Sequence, residues 1–456
     1  MQSKQEQLYG WGHTPVAECQ TWRPEKQRDL THLLRDSSKQ GVIARGLGRS
    51  YGDAALQPSG VIRNERFDHY IEFDAEHGVV RAQAGLSLSE LMEFSIPRGF
   101  LPPILPGTQH ATLGGAFACN IHGKNHYCEG DIAEHVFSIR LLLADGRSLE
   151  CSASEHSDLF WATAGGMGMT GIIQEVSLKL KPITSTSLKT TSYRVESIND
   201  MVAAFEGYRD VSDYMVGWID HMADGAQLGR GVFEAANHIS VDEGGTPLTQ
   251  YTHRKARLSV PFFMPTFLLN RQVMALYNRY RFRNYSIARQ SEIVDFESFF
   301  HPLDSIGNWY KLYGKRGFFQ YQCIIPESTD IITRLQHLLS LLHEHKLFSY
   351  LAVIKYHRES KGLMSFPLRG YSLALDLPNT KRVRKRIAQI NRWVADTGGR
   401  VYLAKDALLT PEEFNHMYHN NVEQWRDTLR DADPDGRFVS LMSERLGWKP
   451  WHGSNV

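Results

Sequence analysis

The sequence predicts an α+β protein in which a glycine-rich, strand-dominated first part is followed by long helices alternating with strands. Three observations lead there. From about Gly41 to Pro182 the chain is a succession of short apolar runs broken by glycine turns. After Pro182 the glycines thin out and apolar residues recur at helical spacing between strand-like runs. The chain has 456 residues, more than the ~100–200 of one ordinary domain, so two or three domains and a large core are expected.

The elements follow in chain order. YIEFDAEHGVVRAQAG (70–85) and VFSIRLLLADGRSLEC (136–151) read as hairpins, turning near His77 and Gly78 and at Asp145 and Gly146. IIQEVSLKLKP (172–182) alternates Val176, Leu178 and Leu180 with Ser177, Lys179 and Lys181, as a half-exposed strand does. SINDMVAAFEGYRD (197–210) is a helix. TDIITRLQHLLSLLHEHK (329–346) is an amphipathic one, with Ile331, Ile332, Leu335, Leu338, Leu339, Leu341 and Leu342 recurring at helical spacing. GFFQYQCIIP (317–326), YLAVIKYH (350–357) and YSLALDLP (371–378) are strands, which makes the middle region an antiparallel sheet flanked by helices. KRVRKRIAQINRWVADTGG (381–399) is a basic helix stopped by Gly398 and Gly399, and RVYLAKD after it is a short strand.

Composition excludes several classes. A net charge of +1, without a basic tail or block, gives no electrostatic footprint for nucleic acid. No run approaches the ~20 apolar residues of a membrane span. The polar start MQSKQEQLYGWGH lacks the apolar stretch of a secretory signal, so a cytoplasmic location is expected. Cys19, Cys119, Cys128, Cys151 and Cys323 are odd in number and contain no C-x-x-C pair, which argues for reduced thiols.

Three glycine-rich segments carry the chemistry: ARGLGRSYGDAA (44–55), LPGTQHATLGGAFACNIHGKNHYCEGD (105–131) and ATAGGMGMTGIIQEVSLKLKP (162–182). Glycine lets backbone N–H groups close on phosphate oxygens, so a dinucleotide is the natural ligand. Gly166, Gly168 and Gly171 form a G-x-G-x-x-G, but that fingerprint must open a helix and here a strand follows, which argues against a Rossmann domain.

Together RGLGRSYGD, LPGTQHATLGGAFACNIHG and AGGMGMTGIIQEVSLKLKP resemble the FAD-binding (PCMH-type) domain of the vanillyl-alcohol-oxidase superfamily. More narrowly, IHGKNH (121–126), FQYQCIIP (319–326), LMSFPLRGYSLALDLP (363–378) and GGRVYLAKDALLTPEEFNHMY (398–418) are similar to the oxidase components of decaprenylphosphoryl-β-D-ribose 2-epimerase. The resemblance implies a two-lobed FAD domain at 8–185, an inserted α+β substrate domain at 186–399, and a segment at 400–456 that returns to the FAD domain. It implies that FAD is held by Arg45, Gly46, Gly48, Arg49, Ser50, Tyr51, Gly52 and Asp53 of the first loop. From the second come Pro106, Gly107, Thr108, Thr112, Gly114, Gly115, Cys119, Asn120, His122 and Gly123, and from the third Gly168, Gly171 and Ile172. Many members carry at the place of Arg49 a histidine bonded to the flavin; arginine cannot form that bond, so noncovalent FAD is implied. Ala374 stands where the narrower family has cysteine, and Ser372 where it has asparagine.

Oxidising an alcohol on a flavin needs a group that takes or stabilises the hydroxyl proton. By the resemblance this is Lys405, as base or as electrostatic clamp; read alone, Lys405 could equally be a surface lysine paired with Asp406. His122, with an ordinary pKa near ~6.5, is a second acceptor, and Tyr402 is a further catalytic candidate. Lys124, Gln322 and Lys355, with Lys405, match the family's substrate positions. No metal site is expected from His122, His126 and His135, because Gly123 and Asn125 interrupt any helical face that would pair them. Tyr51 and Asp53 suit either a ribose or a turn.

The reading is an FAD-dependent oxidoreductase that takes a secondary sugar hydroxyl, C2 of a polyprenylphosphoryl-β-D-ribose, to the ketone. A separate NAD(P)H-dependent short-chain reductase would complete epimerisation to the arabinose form. The alternatives are an aldonolactone or alditol oxidase using oxygen, and a flavin- or lipid-binding module without turnover. In 258–285 the apolar residues Phe262, Phe263, Phe267, Leu268 and Leu269 precede Arg271, Arg279, Arg281 and Arg283, an order that suits peripheral contact with the inner face of the plasma membrane or an apolar cap over the sheet.

Overall fold

Turn chemistry sets the pairing of the first strands. In the computed structural model, which describes residues 2–35, 41–253, 256, 258–265 and 269–449, Asp74 accepts the N–H groups of Glu76 and His77. That closes the hairpin of strands Tyr70–Asp74 and Val79–Gln83. Asp145 accepts the N–H of Arg147, and Gly146 sits at φ 84°, where a side chain would be strained. This turn joins Val136–Leu142 to Ser148–Ser152.

Both hairpins flank the strand Ile172–Lys179 in a five-stranded antiparallel sheet. The expected alternation holds from Val176 to Lys181, with Val176, Leu178 and Leu180 buried and Ser177, Lys179 and Lys181 half-buried, while Ile172 through Val176 are buried on both faces. Its Glu175 survives burial because Arg81 and Arg140 both bond to it. Before this sheet comes a four-stranded one made of Lys4–Tyr9, Val16–Trp22, Val61–Arg63 and Ile43–Arg45.

The third layer is an eight-stranded antiparallel sheet. Its order is Gln290–Asp295, Ser187–Val195, Gly231–His238, Tyr214–Ile219, Ala352–His357, Gly370–Pro378, Phe318–Pro326 and Arg400–Val401. Met215, Ile219, Phe233, Ile354, Leu373, Tyr321 and Cys323 turn to one face. There they form one core with residues of the helices Ile198–Tyr208, Ile331–Glu344 and Lys381–Asp396, such as Met201, Leu338 and Ile387. The opposite face is free to line a site.

The predicted strand RVYLAKD is shorter than its pattern suggests. Arg400–Val401 pairs as the last strand of the eight-stranded sheet, so the sheet runs past residue 399, and Leu403–Lys405 then tightens into a 3-10 turn. Beyond it the chain packs on the first part. Trp425, in the helix Val422–Ala432, donates to the Ala162 carbonyl at 3.0 Å, and Phe438 enters a core with Trp22 and Val42. Among the described residues no helix is long and apolar enough to cross a membrane, and all five cysteines are free thiols. Phe267 and Leu268, part of the apolar run read from the sequence, lie outside the described residues.

Candidate active site

Side chains alternate across a strand, so every second residue of the eight-stranded sheet reaches its uncovered face. Neighbouring strands keep this set in register. Val216 and Trp218 stand opposite Glu234 and Val232, Trp218 opposite Val353, Lys355 opposite Ser372, and Val353 and Gln322 opposite Ala374. All of these residues line one cavity of about 580 Å³.

The facing wall is built from the three glycine-rich segments. Gly46, Gly48, Arg49, Ser50 and Tyr51 come from the first, and Pro106, Gly107, Thr108, Thr112, Gly114, Gly115, Cys119, His122 and Lys124 from the second. Gly168 and Gly171 come from the third, while Tyr402 and Lys405 close the cavity from the C-terminal segment. A Cβ at Gly107, an exposed residue on the lining, would meet nothing within 4 Å. Gly48 and Gly168 hold positive φ, at 65° and 81°, so a side chain there would be strained.

Side-chain hydrogen bonds help tie the walls together. His122 Nε2 lies 3.0 Å from the Gln322 amide, and the Tyr402 hydroxyl donates to the Cys119 carbonyl at 2.8 Å. Behind the first pair sit two more buried imidazoles, His126 and His357, with ring centres 4.8 Å apart, and His357 Nε2 lies 2.7 Å from Ser372 Oγ.

Three lysines converge on this space without any carboxylate at ion-pair distance among the described residues. Burial pulls the Lys405 amine down to about 8, against the opposing pull of Asp376. Burial, helped by the charges of Lys405 and Lys124, lowers Lys355 to about 7. Burial also lowers Lys124 to about 8; its ammonium donates to the Phe299 carbonyl at 2.5 Å and lies 3.7 Å from that ring's centre. His122 is held well below its usual range by burial and then by the charge of His357, so it is neutral at pH 7. Burial moves the Tyr51 and Tyr402 hydroxyls the other way. The cavity therefore offers amines that can exchange a proton near neutrality and, while protonated, attract an anion.

Six of the predicted positions lie off the lining. Arg45 folds back to the carbonyls of Tyr9 and Ala55, at 2.8 and 3.2 Å. Gly52 packs against the Asp406 carbonyl, and Gly123 against Asn125 and Leu105. Asp53, read from the sequence as suiting a ribose or a turn, is gripped by Arg445, with two contacts of 2.8 Å. Asn120 is buried, donating to Ser365 Oγ at 2.6 Å and accepting the N–H of Ala133. Ile172 joins the core of Trp22 and Phe438, and its neighbour Ile173 lines the cavity instead. Arg49 lines the cavity but its guanidinium stacks 4.2 Å above Trp11. His135 turns to the Glu129 carbonyl, away from His122 and His126. The sequence reading missed Trp11, Trp218, Glu234, Arg281, Asp304, Trp309 and Val353; period-two alternation from Lys355 and from Gln322 was the signal that could have found Val353 and Gln320.

The FAD binding domain family matches residues 20–152. The chain is 33% identical over 450 residues to decaprenylphosphoryl-beta-D-ribose oxidase of Mycolicibacterium smegmatis, covering 96% of this chain and 97% of the relative. It is 28% identical over 374 residues to an uncharacterized protein of Streptomyces coelicolor, covering 79% of this chain and all of the relative. It is also 22% identical over 454 residues to L-gulonolactone oxidase of Mus musculus, covering 96% of each chain. The residues present fit such a cofactor: a cradle poor in side chains, with Gly46, Gly48, Gly107, Gly114, Gly115 and Gly168 on its lining, faces a wall that carries ionisable groups.

Proposed function

The chain belongs to the family of FAD-dependent oxidoreductases that contains decaprenylphosphoryl-beta-D-ribose oxidase, and from that membership we propose that it oxidises C2 of a polyprenylphosphoryl-β-D-ribose to the ketone, as the first step toward the arabinose epimer. Bound FAD supplies a ring that accepts two electrons from the carbon. Gly46, Gly48, Gly107, Gly114, Gly115 and Gly168 admit the diphosphate by leaving the backbone bare. The binding is noncovalent, since Arg49 cannot form a histidyl link to the flavin. Lys405 receives the hydroxyl proton when its amine is neutral, which an amine pulled to about 8 is in part at pH 7.5. His122, neutral and hydrogen-bonded to Gln322, fixes the substrate's oxygens. Tyr402 acts through its grip on the Cys119 carbonyl, which sets the spacing of loop and sheet.

The observation that carries this reading is the convergence of Lys124, Lys355 and Lys405 with Arg281 on one cavity. Such a cluster suits a substrate that brings a negative charge, as a sugar phosphodiester does, better than a neutral lactone. The exposed stripe Val273, Leu276, Tyr277 and Tyr280 on the helix Arg271–Asn284, with Phe262 62% exposed, suits contact with the membrane that carries a polyprenyl lipid. Tyr277 and Arg281 of that helix also line the cavity. The keto sugar would leave for a separate NAD(P)H-dependent reductase.

The test is anaerobic mixing of the yellow protein with polyprenylphosphoryl-ribose. Bleaching of the flavin band is expected, and Lys405→Met should slow it at least ~100-fold, in the range general acid–base catalysis contributes. A flavin that stays oxidised with this lipid would refute the substrate. The likeness to L-gulonolactone oxidase favours a second reading, oxidation of a free aldonolactone by oxygen; peroxide release on a panel of free lactones and alditols would select it.

A further inference from the structure

Past the Phe318 and Pro378 end of the central strand pair lies a second cavity, of about 760 Å³. Its floor is apolar, made by Met222, Leu269, Phe348, Tyr350, Pro378 and Val383. Its rim carries six cations, Arg271, Arg316, Lys346, Lys381, Arg382 and Arg384, and among the described residues no carboxylate lines it. None of the six has an ion-pair partner among the described residues. Two are already fixed in place: Arg271 lies 4.3 Å above the Phe348 ring, and Arg384 bonds to Asn379 Oδ1 at 3.1 Å while covering Phe319.

The distribution is not what net charge alone would give. The chain carries 51 basic against 50 acidic side chains, so six uncompensated cations around one hollow are a local excess. Like charges this close repel unless screened or paired. An anion in their midst would relieve that repulsion, and guanidinium groups match the paired oxygens of a phosphate. The floor adds a second requirement. A hydrated inorganic anion gains nothing from Met222, Phe348 and Val383, whereas a hydrocarbon attached to the phosphate would bury apolar surface there at ~25 cal/mol per Å².

We propose that this basic cavity binds an amphiphilic phosphate, a phosphate ester carried on a hydrocarbon group, at a site separate from the redox cavity. The proposal does not depend on which alcohol the flavin oxidises. The helix Arg271–Asn284 separates the two sites: Arg271 is on this rim, while Arg281, ten residues or ~15 Å further along the helix axis, lines the other cavity. The same chemistry could come from a dissolved lipid phosphate or from the headgroups of an anionic bilayer.

Titration calorimetry of the flavin-loaded protein with decyl phosphate, kept below its micelle concentration, tests the site. Saturable binding is expected, with inorganic phosphate at least 10-fold weaker. Sedimentation with phosphatidylglycerol-containing vesicles against pure phosphatidylcholine vesicles separates a bilayer source from a dissolved one. The variant Arg316→Glu plus Arg382→Glu should weaken whichever interaction is seen at least 10-fold, with the flavin spectrum and melting temperature unchanged. Both side chains are exposed, and an acidic residue in the first turn of the helix Lys381–Asp396 suits its dipole. Equal binding of inorganic and decyl phosphate overturns the proposal. So does binding that survives the double change but disappears with Lys355→Met in the redox cavity, and so does absence of binding to both decyl phosphate and anionic vesicles.

Discussion

Replacing Arg445 by Met removes one guanidinium that joins three distant stretches of chain. Its Nε and one terminal nitrogen each reach Asp53 at 2.8 Å; that nitrogen also lies 3.0 Å from Asp406, and the other donates to the Leu409 carbonyl at 2.7 Å. Asp53 and Asp406 are each 5% exposed, so both carboxylates would stay in a poorly solvated place without their counter-ion. Removing one partner of a buried pair costs ~3–5 kcal/mol, and at ~1 °C per kcal/mol for a chain of 456 residues the melting temperature should fall by ~3–5 °C. Asp53 is two residues from Tyr51, and Asp406 is next to Lys405, both on the cavity wall. Flavin release, followed by the rise of its fluorescence on heating, should therefore shift down along with the tryptophan signal of unfolding. Adding Asp53→Asn to Arg445→Met removes one orphaned charge and should recover part of the loss. A fall below ~1 °C, which is under ~1 kcal/mol, or a double variant no more stable than the single one, would refute this account of the clamp.

Glycines of the first two loops should separate into two kinds. Gly52→Ala drives a Cβ into the Asp406 carbonyl and should unfold the protein or strip its flavin, while Gly107→Ala should leave the apoprotein's melting temperature unchanged and still weaken flavin retention, as dialysis followed by absorbance would show. Lys355, lowered to about 7, carries an unfavourable buried charge that is fully present below pH 7 and vanishes above the unfolded value of ~10.4. Lys355→Met should therefore stabilise the apoprotein at pH 6, with the gain shrinking toward pH 10; a gain that grows with pH in denaturant titrations would reverse the sign. Burial raises all five thiols, those of Cys119 to about 11 and of Cys151 and Cys323 to about 12, so access decides, and only exposed Cys128 should react quickly with a disulfide reagent at pH 8. A second fast thiol in the native protein would contradict that assignment.

Local chemistry was legible in the sequence and long-range register was not. Asp145-Gly146 and the Asp74 turn announced their hairpins because a turn is decided by four neighbouring residues. The glycine segments were legible for the same reason. Asp53 shows the limit: read alone it suits a ribose or a turn, and its partner Arg445 lies 392 residues away. Glu234 and Trp218 meet the cavity only because their strands pair in one register, and a one-residue slip would turn both to the helix side. Strand ends were blurred as well. VYLAK looked like a continuing strand, but after the Tyr402 N–H donates to the Gln322 carbonyl at 2.9 Å the chain leaves the sheet and Leu403–Lys405 curls into a 3-10 turn.

The two sides of the candidate site constrain each other, and this explains why polar residues stand in the middle of a buried strand. In Phe318–Pro326 the residues Tyr321, Cys323 and Ile325 pack against helices, while Gln320 and Gln322 occupy the other face, both almost wholly buried. An unpartnered amide there would cost ~1–3 kcal/mol. Gln320 is satisfied by Asp376 at 2.7 Å, and Gln322 by His122 at 3.0 Å, which comes from the second glycine segment. Tyr402 to Cys119 and the Tyr51 N–H to the Ala404 carbonyl, at 2.8 and 2.9 Å, make the same crossing. The separation between the glycine cradle and the lysine-bearing sheet is thus fixed by bonds that neither part could make alone. Gln322→Leu should accordingly misplace His122 and the loop behind it, disturbing flavin environment and substrate oxidation together although Gln322 belongs to the sheet.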